Sequence, residues 1–496
     1  MILLLAAYLR LANVATNPAW YTDEGTHLEI AGQLLTGRAQ YLAINQPWLL
    51  VSRLPLFEGL LASVARFNGV SMETLRLLTG SLGVVTVGLL YAVVRQISRD
   101  RSLAVLAAGL LAIYPPAVLY SRFGFSYNLL APLLLLCLLG TAKYAVCGSK
   151  HWLAVASLSI GLGTLSEVWM FVLFAPFMLI VLICNWRDLL WSLPLALLPF
   201  GGYAAIMLAT APQIFLFDVR FVLSRVNQLP LDRQVATIWQ NVSTLCAQDV
   251  WMIAGPIGLL RLKSPRVRWI GLALFAIPFV LLGRTTALFS LSFYYLIPLL
   301  PWVALGVASL IRYGVPWLSR RLLRRIHALV EVEQSARINW FNLLVAIPLA
   351  IILLISTVGL VRQVRDGFHT DIDGFLLDPI AVQSTAAFVN GQVVASDRVI
   401  ASPTLAWLLK AQVADMQMPL AYQGRATPHL PADIPPDRWA FDPSVEQARF
   451  VIVDNLWRNW AVPNVAGVAD MLQEIERWPI VLRSGELVVY QNPEEQ

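Results

Sequence analysis

Apolar blocks about 20 residues long constrain this chain more than any other feature, because that is the length a helix needs to cross a bilayer. They recur at 1–16, 76–95, 102–119, 125–146, 152–166, 168–185, 189–210, 249–262, 269–283, 291–311 and 341–361. With 58% hydrophobic and 13% charged residues, the chain lies far below the roughly 25% charged content of a soluble protein. The pattern predicts a polytopic α-helical membrane protein with about eleven transmembrane helices. Dividing 152–185 at Ser166-Glu167 sets that count, and with it the side on which every later loop falls.

Charge decides between the two arrangements. The net charge of +6 hides a balance of +14 over residues 1–364 and −8 over residues 365–496. Arg95, Arg99, Arg101, Lys143, Lys150, Arg187, Arg261, Lys263, Arg266, Arg268 and the basic stretch 312–337 occupy short loops. Eleven helices place all of them on one side, which the positive-inside rule makes cytoplasmic. The basic surplus therefore reflects topology, and no nucleic-acid partner is expected. Arg320, Arg321, Arg324 and Arg325 are expected to anchor their loop at the anionic inner leaflet. Met1–Ala12 lacks a basic start and carries Arg10 inside its apolar run. It is expected to be a short first helix, or to follow a start placed late, rather than a signal peptide. Cys137, Cys147, Cys184 and Cys246 have no pairing or metal-ligand spacing.

Three parts then face outward: a loop at 17–75, a loop at 211–248, and the tail. The first loop holds two amphipathic stretches, 24–35 and 55–68, expected to lie along the interface. The second contains the sequon Asn241-Val242-Ser243, a pattern frequent by chance. From residue 365 the periodicity changes. Strand-like runs at Val393–Ala395, Phe450–Val453 and Leu487–Tyr490 alternate with helix-like runs at 382–390, 404–412 and 466–477. Residues 1–364 thus form a transmembrane domain and 365–496 an extracytoplasmic α/β domain.

The chemistry-bearing stretch is Tyr21-Thr22-Asp23-Glu24-Gly25-Thr26-His27, at the head of an amphipathic run through Leu28, Ala31, Leu34 and Leu35. Taken alone, Thr22 reads as an N-cap and the two acids as partners of the helix dipole, worth about 0.3–1 kcal/mol. Successive helical residues diverge by about 100°, so one acid can face a cavity while the other holds local structure.

Thr22-Asp23-Glu24-Gly25 followed by Gly32-Gln33-Leu34-Leu35-Thr36-Gly37 resembles the opening of the C-type (GT-C) glycosyltransferases. The resemblance is to the bacterial branch related to protein O-mannosyltransferases and to the aminoarabinose transferases of lipid A. It continues in order through Arg53-Leu54-Pro55-Leu56-Phe57, Glu73-Thr74-Leu75-Arg76-Leu77, Tyr120-Ser121-Arg122 and Tyr294-Tyr295-Leu296-Ile297-Pro298-Leu299-Leu300-Pro301. It implies a bacterial plasma-membrane enzyme moving a sugar from a polyprenyl-phosphate-linked donor to a lipid, glycan or protein acceptor at the outer face.

On that resemblance Asp23 is the base that activates the acceptor hydroxyl, worth roughly 10²–10⁴ in rate, with inversion at the sugar carbon. Glu24 orients the loop or contacts the acceptor. The phosphate leaving group needs cationic partners. Arg122 is the first candidate, followed by Arg284 and Arg53, with snorkelling to the headgroups as the plainer reading of each. Asn128 stands where many relatives carry a second acid, and could bond a sugar hydroxyl. His27 lies one turn from Asp23, and Tyr294 belongs to the late-helix motif; both are candidate substrate contacts. No cofactor is expected, and a divalent metal is left open. The competing readings are a transporter or flippase of a lipid-linked sugar, although no internal repeat supports one, and an assembly partner acting through its outer domain.

Overall fold

Inside hydrocarbon every backbone N–H and C=O must be bonded within its own segment, and the apolar blocks of this chain are accordingly helical. The computed structural model describes residues 1–46, 54–226, 229–284, 290–314, 317, 334–368 and 373–494. Arg53 and the arginines at 320–325 lie outside them.

In chain order, α1 (Ile2–Leu11) leads to α2 (Thr22–Leu35), a short antiparallel hairpin of β1 (Gln40–Tyr41) and β2 (Ile44–Asn45), and α3 (Pro55–Asn68). Both amphipathic stretches of the first loop are thus helices. Next come α4 (Met72–Ser98), α5 (Arg101–Ile113), α6 (Pro115–Arg122), α7 (Tyr127–Cys147) and α8 (Lys150–Ser166). Helices α5 and α6 meet at 56°, where Pro115 and Pro116 follow Tyr114. A proline cannot donate to the preceding turn, so the carbonyls of Leu111 and Ala112 need other partners. Buried Arg10 supplies both, at 2.9 Å each. An arginine inside an apolar run is thus explained by the broken helix beside it.

After α8 the chain is extended at Glu167 and passes through a 3-10 turn (Val168–Leu173) into α9 (Phe174–Thr210). Asn185, at φ −162° and ψ 108°, interrupts α9 and separates the expected runs 168–185 and 189–210. The second loop forms α10 (Pro212–Val226) and α11 (Leu231–Gln248). There the Asn241 amide is fully buried and donates to the Gly283 carbonyl at 2.7 Å, so the sequon is a helix-packing contact. Then follow α12 (Val250–Leu259), α13 (Pro265–Gly283), α14 (Leu300–Ser309) and α15 (Gln334–Asp366). By length and composition 4 helices among the described residues can cross a membrane alone, or up to 5 with the bent pair, against the larger number expected. Ile2–Leu11, Val250–Leu259 and Val267–Gly283 are apolar but shorter than 18 residues.

The tail builds a five-stranded sheet in the order β4 (Gln412–Ala414), β3 (Arg398–Ile400), β5 (Phe450–Val453), β7 (Leu487–Gln491), β6 (Ile480–Ser484). The first three strands are parallel and the last two pairings antiparallel. Two expected elements move. Val394 is exposed and its N–H turns back onto Asp397, so the strand begins at Arg398, not Val393. The helix expected at 404–412 is only a short α17 (Pro403–Ala406), preceded by α16 (Pro379–Asn390), because Gln412 already pairs with Arg398.

This sheet is joined closely to the segments at 17–75 and 211–248. Leu28, Phe57 and Leu61 pack in one hydrophobic cluster with Val382, Val399 and Val413. Trp20 and Leu377 exchange two backbone hydrogen bonds at 3.0 Å, and Ala440 donates to the Ala43 carbonyl at 2.8 Å. Arg438, fully buried, bonds Asp218 of α10 at 2.8 Å and the carbonyls of Asn45 and Gln46.

Candidate active site

Helix α2 starts one residue before the expected arrangement. Tyr21, extended at φ −110°, is the N-cap; Thr22 is already helical. The capping acceptor is the Glu24 carboxylate, which takes the Tyr21 N–H at 3.0 Å. This leaves Thr22 without the capping role its side chain suggests.

Glu24 is fully buried and saturated. Its Oε1 accepts Arg76 Nε at 2.7 Å and the Gly124 N–H at 2.7 Å; its Oε2 accepts Arg76 Nη2 at 2.6 Å besides Tyr21. Arg76 uses its remaining donors on the carbonyls of Val14, Pro18 and Ala19. A paired, fully hydrogen-bonded charge is the form in which a buried charge persists. Glu24 therefore ties α2 to α4 and to the turn before α7. Both of its oxygens are thus taken by groups of the chain itself.

Asp23 points elsewhere. It is half-buried, and its Oδ2 accepts the Tyr294 hydroxyl at 2.9 Å. Tyr294 comes from a 3-10 segment (Ser290–Leu299) that leads into α14. It is held in an aromatic nest, stacked on Phe125 with centroids 4.2 Å apart and edge-on to Tyr127. Tyr21 packs edge-on against Phe123 and Phe125. Tyr294, expected as a substrate contact, is only 5% exposed, with its hydroxyl donated to Asp23.

Three other expected contacts are turned inward. Arg122 is fully buried and donates to the carbonyls of Leu9, Asn13 and Asn17, at 2.9, 3.4 and 2.7 Å. Its terminal donors are taken by main chain that the N-terminal segment leaves unpaired, so it ties α1 to α6 and neither snorkels nor faces a headgroup. Asn128 donates to the carbonyls of Tyr120, Phe123 and Phe125, closing the turn between α6 and α7. His27 is buried, its Nδ1 2.9 Å from Glu58 Oε1 of α3 and its ring edge-on to Phe57. Each of these polar groups satisfies a local bonding need that the sequence does not display.

Arg284, at the C-cap of α13, is half-buried, and its Nε has no hydrogen-bond partner. Among the described residues no group of three or more His, Cys, Asp or Glu side chains could hold a metal ion. Gly25 explains the residue after the acid pair. A Cβ there would overlap the Pro403 carbonyl, so α2 meets the start of α17 backbone to backbone. Of the residues bonded to this cluster, Glu58 escapes a sequence reading, and Arg76 is marked only as part of Glu73-Thr74-Leu75-Arg76-Leu77.

Residues 52–215 match a family described as dolichyl-phosphate-mannose-protein mannosyltransferase. The fold matches ArnT from Cupriavidus metallidurans bound to undecaprenyl phosphate, with a TM-score of 0.65 and 13% identity over 99% of this chain and 96% of that one. It also matches the archaeal oligosaccharyltransferase AglB from Archaeoglobus fulgidus, solved with an inhibitory peptide and a dolichol-phosphate. That match has a TM-score of 0.55 and 14% identity, and covers 92% of this chain and 69% of the other. No curated protein sequence matches the chain.

Proposed function

We propose that this chain, whose fold is that of the GT-C glycosyltransferases, transfers a sugar from a polyprenyl-phosphate donor to an acceptor hydroxyl, with Asp23 as the base. The observation that carries the proposal is the division of labour between adjacent acids: Glu24 is saturated inside the protein, while Asp23 stands half-buried and is oriented by Tyr294. The donor class follows from the undecaprenyl phosphate and dolichol-phosphate held by the structural neighbours.

In this mechanism the acceptor hydroxyl gives its proton to Asp23 as its oxygen bonds the anomeric carbon from the face opposite the phosphate. The carbon–oxygen bond to the polyprenyl phosphate breaks, and the lipid phosphate leaves with the electron pair. A phosphate is stable as an anion, so it needs a counter-charge rather than an acid. Arg284 takes that role among the described residues, since its half-buried guanidinium keeps an unbonded Nε. Arg53 is the second candidate. Residues 1–364 act as the transmembrane catalytic part, in the bacterial inner membrane. Residues 365–496 form an outer unit that holds the first loop in place, with Asp23 on the outer face by the charge distribution of the loops.

The test is a transfer assay on detergent-purified protein with a labelled polyprenyl-phosphate sugar and an acceptor extract. Wild type transfers label, and Asp23→Asn slows transfer by about 10²–10⁴ at an unchanged melting temperature. Undiminished transfer by Asp23→Asn removes Asp23 as base. Movement of the lipid without transfer converts the reading to a flippase.

A further inference from the structure

The end of the bundle remote from Asp23 holds a cavity of about 410 Å³, lined by Ser98, Arg99, Asp100, Arg101, Lys263 and Tyr313. It sits where the α4–α5 turn meets the α12–α13 turn. Its volume falls within the roughly 300–1,000 Å³ of small-molecule sites. Three cations line it, and its single carboxylate is already occupied. Asp100 Oδ1 caps α5 by accepting the Leu103 N–H at 3.0 Å. Its Oδ2 accepts the Tyr313 hydroxyl at 2.7 Å and Arg312 Nε at 3.3 Å. Among the described residues, Arg99, Arg101 and Lys263 pair with no carboxylate; Lys263 lies over the Tyr313 ring, 4.9 Å from its centroid. The cavity therefore has an uncompensated positive charge and calls for an anion.

The wall of the cavity indicates which kind. Ser98, Leu103, Leu262 and Val267 also line an apolar seam that continues along α4 and α13 past Ile97 and Ile270. The seam is closed to about 10 Å³, too narrow to admit a chain. Half-buried Ile97, Val267 and Ile270 nonetheless present an apolar track at its mouth. A cationic cavity opening directly onto an apolar track fits an amphiphile rather than a soluble anion. We propose that this cavity binds the phosphate headgroup of an anionic membrane lipid, whose acyl chain lies outside the closed seam, against Ile97, Val267 and Ile270 of α4 and α13. The bound headgroup bridges the two turns and fixes them to each other. The site is separate from the Asp23 centre, and its test does not depend on the transfer reaction.

The experiment uses the full chain in zwitterionic detergent, with phosphatidylglycerol as probe and phosphatidylcholine as control. Bound lipid is counted by native mass spectrometry. Phosphatidylglycerol is expected to be retained and phosphatidylcholine washed away. The triple variant Arg99→Gln, Arg101→Gln, Lys263→Gln should weaken retention on the order of a hundredfold, since each surface cation near a lipid headgroup contributes about fivefold. Arg95→Gln, an exposed cation at the same end outside the cavity lining, should leave retention unchanged. The replaced cations are exposed, so the melting temperature of the triple variant in phosphatidylcholine checks that its fold is intact. Equal retention of both lipids, no loss in the triple variant, or an equal loss in Arg95→Gln overturns the proposal. Displacement of phosphatidylglycerol by millimolar inorganic phosphate also overturns it, in favour of a soluble-anion site.

Discussion

Replacing Glu24 by glutamine separates structure from chemistry at the acid pair. In the native protein the carboxylate accepts four hydrogen bonds, two of them from Arg76. A glutamine of the same shape keeps one oxygen, which can still accept from Arg76 Nε and Gly124. Its NH₂ group, however, then faces Arg76 Nη2 and the Tyr21 N–H, donor against donor. The Arg76 charge stays buried with no counter-ion. Breaking a buried pair in this way costs about 3–5 kcal/mol, a large fraction of the 5–15 kcal/mol that holds a typical domain. The expected result is a strong fall in melting temperature by scanning fluorimetry and poor recovery of folded protein. The fraction that does fold should still transfer sugar, at a rate per folded molecule lowered only as far as α2 is loosened. A variant with native melting temperature and abolished transfer would refute the assignment and return Glu24 to the reacting groups. A variant native in both respects would refute the energetic argument itself.

Tyr294→Phe removes the hydroxyl that orients Asp23, and should lower turnover about tenfold or more, as for a hydrogen bond to a charged group, with stability nearly unchanged; steady-state kinetics would show it. Gly25→Ala should loosen the sheet unit from α2, because the new methyl meets the Pro403 carbonyl; faster proteolysis after residue 364 at unchanged far-ultraviolet circular dichroism would report it. Arg438→Gln should cost about 3–5 kcal/mol by stranding buried Asp218, visible as a lower melting temperature. Burial pushes the Asp415 carboxyl up to about 6, while the N–H groups of Gln417 and Met418 pull the other way. The folded state thus holds this proton more tightly than the unfolded one, and stability falls as pH rises from about 4 to about 6, by about 3 kcal/mol in all. Asp415→Asn should flatten that part of the pH–stability curve.

The helical runs were legible because a bilayer imposes a length that composition alone reveals, and the breaks at Glu167 and Asn185 fall where a polar residue interrupts an apolar run. The sheet was less so. Strands β3 and β4 are three residues each, too short for alternation to register, and Val394 looks like a strand residue until Asp397 bends the chain. At the site, the acid pair and Tyr294 stand out as candidates in the sequence, but the bonds made by Arg122, Asn128 and His27 do not. Their partners are the carbonyls of Leu9, Asn17 and Tyr120 and the Glu58 carboxylate. A main-chain carbonyl has no residue identity, so a sequence cannot show that it requires a donor.

Why the pair is adjacent follows from the same bonds. A base must be held still to act, and the proposed one, Asp23, lies in the first turn of α2, a position prone to fraying. Glu24, one residue on and turned inward, is bonded to α4 through Arg76 and to the turn at Gly124. Gly25 presses the same turn of helix against the main chain at Pro403, and Tyr294 holds the carboxylate from the opposite side. Four segments distant in sequence thus converge within three residues. Any of them that shifts moves Asp23, so mutations at Arg76, Gly124 or Pro403 should reduce turnover in proportion to how far they loosen α2, although none of these residues bonds to Asp23 itself.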